Sequence, residues 1–146
     1  MTTPMASPAD DALRARREAL VRAHMADENR LDFDRVLATF PHPHYELVAT
    51  GAVHDGTEQV AAYYRESRAA FPDQRNEIIA LHHMDDGVAA EFILKGTHKG
   101  ELRGMQPTGK EFECRMVALF LFEPESDRIV CERVYFDSAT ILAQLA

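Results

Sequence analysis

The stretch Lys110–Phe122, with the sequence KEFECRMVALFLF, decides the fold of this chain. It predicts a β-strand, and its second half, Met116–Phe122, is a run of seven apolar residues. A strand that is apolar on both faces has both faces covered, because one-sided sheets alternate between apolar and polar residues. One face is expected to meet helices of the same chain. The other is expected to meet a second copy, which predicts a homodimer that associates through the sheet.

Three further segments of the second half predict β-strands, namely Arg75–Met84, Val88–His98 and Arg128–Phe136. The longest of their connections, Gly100–Gly109, lacks helical periodicity and predicts a wide hairpin loop. Connections of this length favour antiparallel neighbours, since a parallel crossover needs about a dozen residues.

The first half predicts mainly helices. The predicted elements are a helix from Asp10 capped by Asp10 or Asp11, a helix near 33–40, two short strands flanking Thr50-Gly51, and a helix 57–71 capped by Thr57. A short helix over 138–146 ends the chain. Helices followed by a sheet predict an α+β fold. We expect a single domain over residues 10–146, preceded by a flexible N-terminus of residues 1–9.

The composition and the absence of certain motifs argue against several classes of partner and cofactor. The chain has 146 residues with 46% apolar and 27% charged residues, as an ordinary globular domain has. Its net charge of −8 argues against nucleic acid and against anionic membrane surfaces as partners. The sequence shows no membrane-spanning stretch and no signal peptide, so a cytoplasmic location is expected. It also has no glycine-rich phosphate loop, which disfavours nucleotide cofactors.

Histidines and cysteines do not form a known metal motif. His42, His44, Glu46 and His54 resemble a metal site superficially, but no HExxH or CxxC motif accompanies them, and no metal is predicted. His82 and His83 are neighbours on a strand, so at most one of them faces inward, and a structural role is expected. The two cysteines, Cys114 and Cys131, are also expected to have a structural role, as small buried residues.

Alternation along the last strand suggests a candidate site. Cys131, Arg133, Tyr135 and Asp137 share one face, and Val130, Glu132, Val134 and Phe136 share the other. If the first face lines a cavity, it supplies a carboxylate for acid–base chemistry, a phenol and a cation. The alternative is a structural ion pair of Arg133 with Asp137, in which Asp137 caps the last helix.

His98 is a second candidate, because it ends a strand between glycines and histidine exchanges protons near neutral pH. It could face the mouth of a pocket, or it could be a solvated turn residue. We therefore expect catalytic roles for Asp137, His98, Arg133 and Tyr135. The residues expected to bind the ligand are Tyr45, His44, Tyr63, Glu91, Met116 and Phe120.

Three segments carry a family resemblance: Gly96–Gly100 (GTHKG), Gly104–Lys110 (GMQPTGK) and Ile129–Asp137 (IVCERVYFD). With the order of helices and strands, they resemble the SnoaL-like polyketide and ester cyclases of the NTF2-like superfamily. The resemblance implies a cone of N-terminal helices on a curved antiparallel sheet with a short C-terminal helix, an apolar pocket and a homodimer. It also implies an aspartate acting as acid and base without metal or cofactor, which Asp137 matches.

One departure from the family pattern concerns Arg133. Many SnoaL-like sequences carry a tryptophan at this position, whereas this chain contains no tryptophan. An arginine there suggests a more polar pocket and a ligand other than a flat polyketide. The sequence thus suggests a cofactor-independent enzyme that uses Asp137 on an apolar carbonyl-bearing molecule, with His98 or Tyr135 stabilising the enolate. The alternatives are an epoxide hydrolase with a second inward carboxylate, for which Glu91 is the candidate, and a non-catalytic ligand-binding domain.

Overall fold

A computed structural model describes residues 8–146 of the chain. Four helices and six strands follow one another as α1 (Pro8–Asn29), α2 (Phe33–Ala38), β1 (His44–Leu47), β2 (Ala52–Asp55), α3 (Thr57–Ala70), β3 (Arg75–Met84), β4 (Gly87–Thr97), β5 (Glu111–Phe122), β6 (Ile129–Tyr135) and α4 (Ser138–Leu145). The predicted α+β fold is confirmed, and the four long strands agree with their predicted bounds to within one residue at each end.

The six strands form one sheet in the order β2-β1-β6-β5-β4-β3. All neighbours are antiparallel except β1 and β6, which pair in parallel with Tyr45 opposite Glu132 and Leu47 opposite Val134. The sequence predicted an antiparallel sheet throughout. The parallel pair arises because more than eighty residues of helix and hairpin separate β1 from β6, which leaves ample chain for a crossover.

The helices cover one face of the sheet, and alternation along β5 shows which side chains they meet. Phe112, Cys114, Met116, Ala118, Phe120 and Phe122 are buried in the core, whereas Val117, Leu119 and Leu121 between them are half-buried on the outer face. Burying each large apolar side chain contributes about 1.5–3 kcal/mol to stability. The apolar run of β5 predicted that both faces of the sheet are covered. Within this chain, the helices cover the inner face, and the apolar residues on the outer face are half-buried.

A buried arginine fastens the long helix α1 to the far end of the sheet. The Arg17 guanidinium donates hydrogen bonds to three backbone carbonyl oxygens, those of Ser126, Asp85 and Glu123, and it lies over the Phe122 ring. The loops that connect β3 to β4 and β5 to β6 are thus held against the helix.

Two predicted helix caps differ in the structure. Helix α3 begins at Thr57, but the capping position is Gly56 and no side chain caps it. Gly56 has φ 87°, a conformation that favours glycine, so the sharp turn out of β2 displaces the cap by one residue. Helix α1 already begins at Pro8, which places Asp10 and Asp11 inside its first turn. Residues 1–7 lie outside the described residues, so their flexibility stays a prediction.

Between residues 8 and 146, no helix is both long enough and apolar enough to cross a membrane.

Candidate active site

A cavity of about 830 Å³ lies between the helices and the inner face of the sheet. Its walls are mainly apolar, with side chains such as Leu47, Phe92, Met116 and Val134 from four strands. Pockets of this size and composition hold drug-sized ligands. Several polar side chains that line it come from different elements, among them Glu28, Tyr45, His54, Tyr63, Arg68 and Glu132.

A chain of alternating charges lies along one wall of the cavity, which three of its members line, namely Glu28, Arg68 and Glu132. His24, fully buried on α1, places its Nε2 2.9 Å from Glu28 Oε1 and 3.2 Å from Glu132 Oε2. On the other side of Glu28, Arg68 Nη2 from α3 lies 3.6 Å from Oε2. Two carboxylates thus alternate with two cationic side chains, which is the arrangement that makes buried charges tolerable.

The hydrogen bonds of His24 determine where its protons lie. The Thr39 hydroxyl donates to the carbonyl oxygen of Val36 at 2.6 Å, so Thr39 Oγ1 accepts from His24 Nδ1 at 2.8 Å. Burial alone opposes a positive charge on His24, but the negative charges of Glu132 and Glu28 outweigh it and raise its pKa to about 10. His24 is therefore an imidazolium at neutral pH, and its Nε2–H is shared by the two carboxylates.

Glu132 is the buried carboxylate of this cluster, with 4% of its surface exposed. Burial raises the pKa of Glu132, with His24 acting in the opposite direction. A buried carboxylate whose pKa is raised and that lines a cavity is a candidate for proton transfer.

Three tyrosines lie next to the charged wall. The rings of Tyr45 and Tyr63 are 5.0 Å apart and both line the cavity, and Tyr64 lies behind them with its hydroxyl buried. Burial raises the pKa of all three phenols, so they remain protonated hydrogen-bond donors. The Arg68 guanidinium stacks over Tyr64 and Phe33, which keeps its charge at the cavity wall.

The long loop between β4 and β5 contributes Leu102, Arg103 and Met105 to the cavity lining. His98 does not line the cavity, which corrects the expectation that it faces the pocket mouth or solvent. It is fully buried, and its Nδ1 accepts a hydrogen bond from Thr108 N–H at 3.3 Å. Its ring packs against Phe71, at 5.8 Å between ring centroids, so it lies inside the protein.

The expected orientation of the last strand is wrong, because the even-numbered residues Glu132, Val134 and Phe136 line the cavity. A β-bulge causes the reversal. Phe122 pairs with Ile129, but Leu121 pairs with Cys131, so Val130 is an additional residue. From Cys131 onwards the odd-numbered side chains therefore lie on the outer face.

On that outer face, the three remaining catalytic candidates have other partners. Arg133 Nε donates to Glu46 Oε2 at 2.5 Å, and Tyr135 is 42% exposed. The Asp137 carboxylate accepts from Ala139 N–H at 3.0 Å and from the Thr140 hydroxyl at 3.1 Å, so it caps α4. The alternative role weighed for Asp137, a helix cap, is what the structure shows, but its partner is not Arg133.

The six residues expected to bind the ligand divide into three groups. Tyr45, Tyr63 and Met116 line the cavity. Phe120 is fully buried in the core and does not line it. His44 and Glu91 are on the outer face, where His44 contacts Glu46 and Glu91 pairs with His82 at 3.0 Å. Both corrections follow from alternation, because the neighbours of His44 and Glu91 along each strand face inward.

The sequence interpretation missed His24, Glu28 and Arg68, and it assigned Glu132 to the wrong face. One signal was available. His24 and Glu28 are four residues apart on a predicted helix, which puts both on one face, and a charged pair on a core-facing stripe needs partners.

Two groups of side chains among the described residues have the donor atoms to hold a metal ion within 4.8 Å of one another. The first is His24, Glu28 and Glu132, where the imidazolium proton occupies the position between the carboxylates. The second, on the outer face, is His44, Glu46 and Cys131.

Solved structures resemble the whole chain. A candidate SnoaL-like polyketide cyclase from Jannaschia sp. CCS1 has a TM-score of 0.82 at 16% identity, covering 98% of this chain and 97% of that chain. IdmH, a candidate polyketide cyclase from Streptomyces antibioticus, has a TM-score of 0.73 at 26% identity, covering 88% and 97%. AclR, a candidate hydroxylase from Streptomyces galilaeus, has a TM-score of 0.77 at 23% identity, covering 90% and 82%.

No curated protein sequence matches the chain significantly. The family model for SnoaL-like polyketide cyclases, however, matches residues 18–145, from the middle of α1 to the end of α4. The match includes the helices, the sheet and every polar group of the cavity wall, and it agrees with the cone-shaped fold. The chain therefore belongs to the family of SnoaL-like polyketide cyclases.

Proposed function

We propose that this protein binds a small, apolar, carbonyl-bearing molecule in the cavity and moves a proton at the carbon next to the carbonyl group. Such a step begins an aldol-type cyclisation or an isomerisation, and the proposed chemistry uses only groups of the chain. The observation that carries the proposal is the buried Glu132 carboxylate, which lines an apolar cavity and is held by the protonated His24.

In the proposed step, Glu132 takes the proton from carbon. The C–H bond breaks, an O–H bond forms on the carboxylate, and the electron pair moves to the carbonyl oxygen as an enolate. Tyr45 or Tyr63 donates a hydrogen bond to that oxygen, and the positive charge of Arg68 stabilises it further. The proton then returns at another carbon, or the enolate carbon attacks a second carbonyl group and closes a ring.

Proton exchange with solvent tests this step directly. The probe is α-tetralone, an apolar bicyclic ketone, and the readout is loss of its proton signal next to the carbonyl group in heavy water. We expect the wild-type protein to accelerate the exchange. We expect Glu132→Gln to reduce that acceleration by a factor of about 10²–10⁴. Glu91→Gln is the matched control, because Glu91 lies on the outer face and pairs with His82.

Binding of the ketone is measured in the same samples, from line broadening of its signals. Exchange by Glu132→Gln at the wild-type rate would show that a group other than Glu132 removes the proton. Bound ketone without accelerated exchange would leave a ligand-binding domain, and absence of binding would refute the proposed class of ligand.

A second reaction is favoured by one observation. Two carboxylates, Glu28 and Glu132, face the cavity, and Arg68 lies 3.6 Å from Glu28. A carboxylate pair with an arginine can open an epoxide: one carboxylate takes a proton from the attacking water, and the other, protonated, gives its proton to the epoxide oxygen. Hydrolysis of styrene oxide that is lost in both Glu28→Gln and Glu132→Gln would favour this reaction, whereas exchange that needs Glu132 alone favours the first.

The homodimer through the sheet is also a proposal. It is supported by half-buried apolar side chains in the middle of the outer face, Ile93, Val117, Leu119 and Leu121, with Tyr135 exposed beside them. Sedimentation of the wild-type protein as a dimer, and of Leu119→Glu as a folded monomer, would support it. A wild-type monomer at micromolar concentrations would refute it.

A further inference from the structure

On the outer face of the sheet, three donor atoms of different chemistry converge where β1 meets β6. They belong to His44, Glu46 and Cys131, and they all lie within 4.8 Å of one another. His44 Nε2 is 3.0 Å from Glu46 Oε1. The convergence includes a nitrogen, an oxygen and a sulfur donor, so it is more than a group of acidic side chains.

The strand pairing produces this convergence. His44 and Glu46 are two residues apart on β1 and therefore share a face. In the parallel register, Tyr45 is opposite Glu132 and Glu46 is opposite Arg133, which puts His44 next to Cys131. The bulge that turned the odd-numbered side chains of β6 outward is what presents Cys131 to His44.

Surrounding groups orient the donors in the manner of a metal site. His44 Nδ1 lies 2.9 Å from Asp55 Oδ1, so this nitrogen donates its proton to the carboxylate and Nε2 is directed towards Glu46 and Cys131. Arg133 holds the second oxygen of Glu46. A histidine whose far nitrogen donates to a carboxylate, and a ligating carboxylate that is itself hydrogen-bonded, are typical of metal ligands.

The donor set selects the class of metal. Imidazole, carboxylate and thiolate are the ligands of zinc, and three protein ligands leave the fourth tetrahedral position for water. Bonds of about 2.0–2.3 Å hold tetrahedral ligands roughly 3.3–3.7 Å apart. Donor atoms already within 4.8 Å of one another reach such an ion by small side-chain movements.

Charge and access agree with a divalent ion. Glu46, Asp55 and a Cys131 thiolate supply three negative charges, and a divalent cation with Arg133 supplies three positive charges. The side chains of His44 and Glu46 are each 26% exposed, so an ion can enter from solvent. When the ion binds, the Cys131 S–H bond and the His44 Nε2–H bond break, the sulfur and the nitrogen bond the metal, and both protons pass to water.

We propose that His44, Glu46 and Cys131 form a zinc-binding site on the outer face of the sheet, with Asp55 as a positioning residue. The site lies on the opposite face of the sheet from the cavity, and it does not depend on the proposed function. The ion would join β1 to β6 across their parallel pairing.

The test uses the tag-free protein and Co²⁺ as a spectroscopic stand-in for Zn²⁺. We expect wild-type protein to give a thiolate-to-cobalt charge-transfer band that Zn²⁺ removes, and Cys131→Ser to give none. Cys114→Ser is the matched control, since Cys114 is buried on the inner face. Asp55→Asn is expected to keep the band but to weaken Zn²⁺ affinity about 10–100-fold.

His44→Gln is the second variant that removes a ligand, and circular dichroism verifies that each variant is folded. The proposal is overturned if the wild-type protein gives no thiolate band, or if folded Cys131→Ser and His44→Gln bind Zn²⁺ as tightly as the wild type. It is also overturned if Cys114→Ser, and not Cys131→Ser, removes the band.

Discussion

His24 Nε2 on α1 lies 3.2 Å from Glu132 Oε2 on β6, and this contact joins the first helix to the last strand at the wall of the cavity. The pair is buried, and it is balanced by Glu28 on α1 and Arg68 on α3. A buried ion pair of this kind is costly to break by removal of one partner, because the other charge remains without compensation.

The first prediction concerns pH and stability. The pKa of His24 is raised from 6.5 to about 10 in the folded protein. Its contribution to stability is therefore fully present below pH 6.5 and is lost as the pH rises through about 10. We expect the free energy of unfolding of the wild type to fall relative to His24→Gln by on the order of 1 kcal/mol per pH unit over that range.

Urea unfolding at several pH values measures this difference, and subtraction of the His24→Gln values removes contributions that the two proteins share. Parallel pH profiles for the two proteins would show that His24 has no raised pKa.

A second prediction concerns Arg17, which is 2% exposed and donates to three loop carbonyl oxygens. Arg17→Met keeps much of the apolar stem but leaves these carbonyl oxygens without the charged donor. We expect Arg17→Met to lower the free energy of unfolding by about 2–4 kcal/mol. Arg16→Met is the control, since the Arg16 side chain is 56% exposed and should change stability by less than about 0.5 kcal/mol. Equal effects of the two substitutions would contradict the assigned role.

Asp137 gives the third prediction, which separates capping from catalysis. Asp137→Ala should lower stability by about 0.5–2 kcal/mol, and Asp137→Asn should change it little, because asparagine caps helices as well as aspartate does. Both variants should retain ketone proton exchange, since the carboxylate binds Ala139 and Thr140 instead of lining the cavity. Loss of exchange in Asp137→Asn at an unchanged melting temperature would restore Asp137 as the acid–base residue.

The fourth prediction concerns Gly100, where the loop between β4 and β5 approaches the end of α3. A Cβ atom at this position would lie 2.0 Å from the carbonyl oxygen of Ala69, so the backbone itself would have to move. Gly100→Ala should therefore destabilise the protein by more than 1 kcal/mol. The neighbouring exposed residue provides the control, Lys99→Ala, which should have little effect on thermal unfolding. A neutral Gly100→Ala would show that the loop shifts freely.

Strand positions were predictable from the sequence because apolar runs and turn residues are local signals. The bounds of β3 and β5 needed no knowledge of the partner strands. The family was also recognisable from short segments near Gly96–Gly100 and Ile129–Asp137, which the match over residues 18–145 agrees with.

The candidate site was less predictable because its geometry depends on how the strands pair and how the helices pack on the sheet. A single additional residue, Val130, reverses which face the side chains of β6 occupy, and nothing in the local sequence marks the bulge. His24 and Arg68 lie on different helices, so their meeting at Glu28 is decided by how those helices pack on the sheet.

The parallel pairing of β1 with β6 has a consequence for folding. The bond between Glu46 and Arg133 spans 87 positions of the chain, and the bond between His24 and Glu132 spans 108. Contacts so distant in sequence form slowly and are entropically costly to bring together. Tyr45 and Glu132 become neighbours only when β6 pairs with β1, so chains truncated before β6 would keep the β3–β4 hairpin but would lack this wall of the cavity.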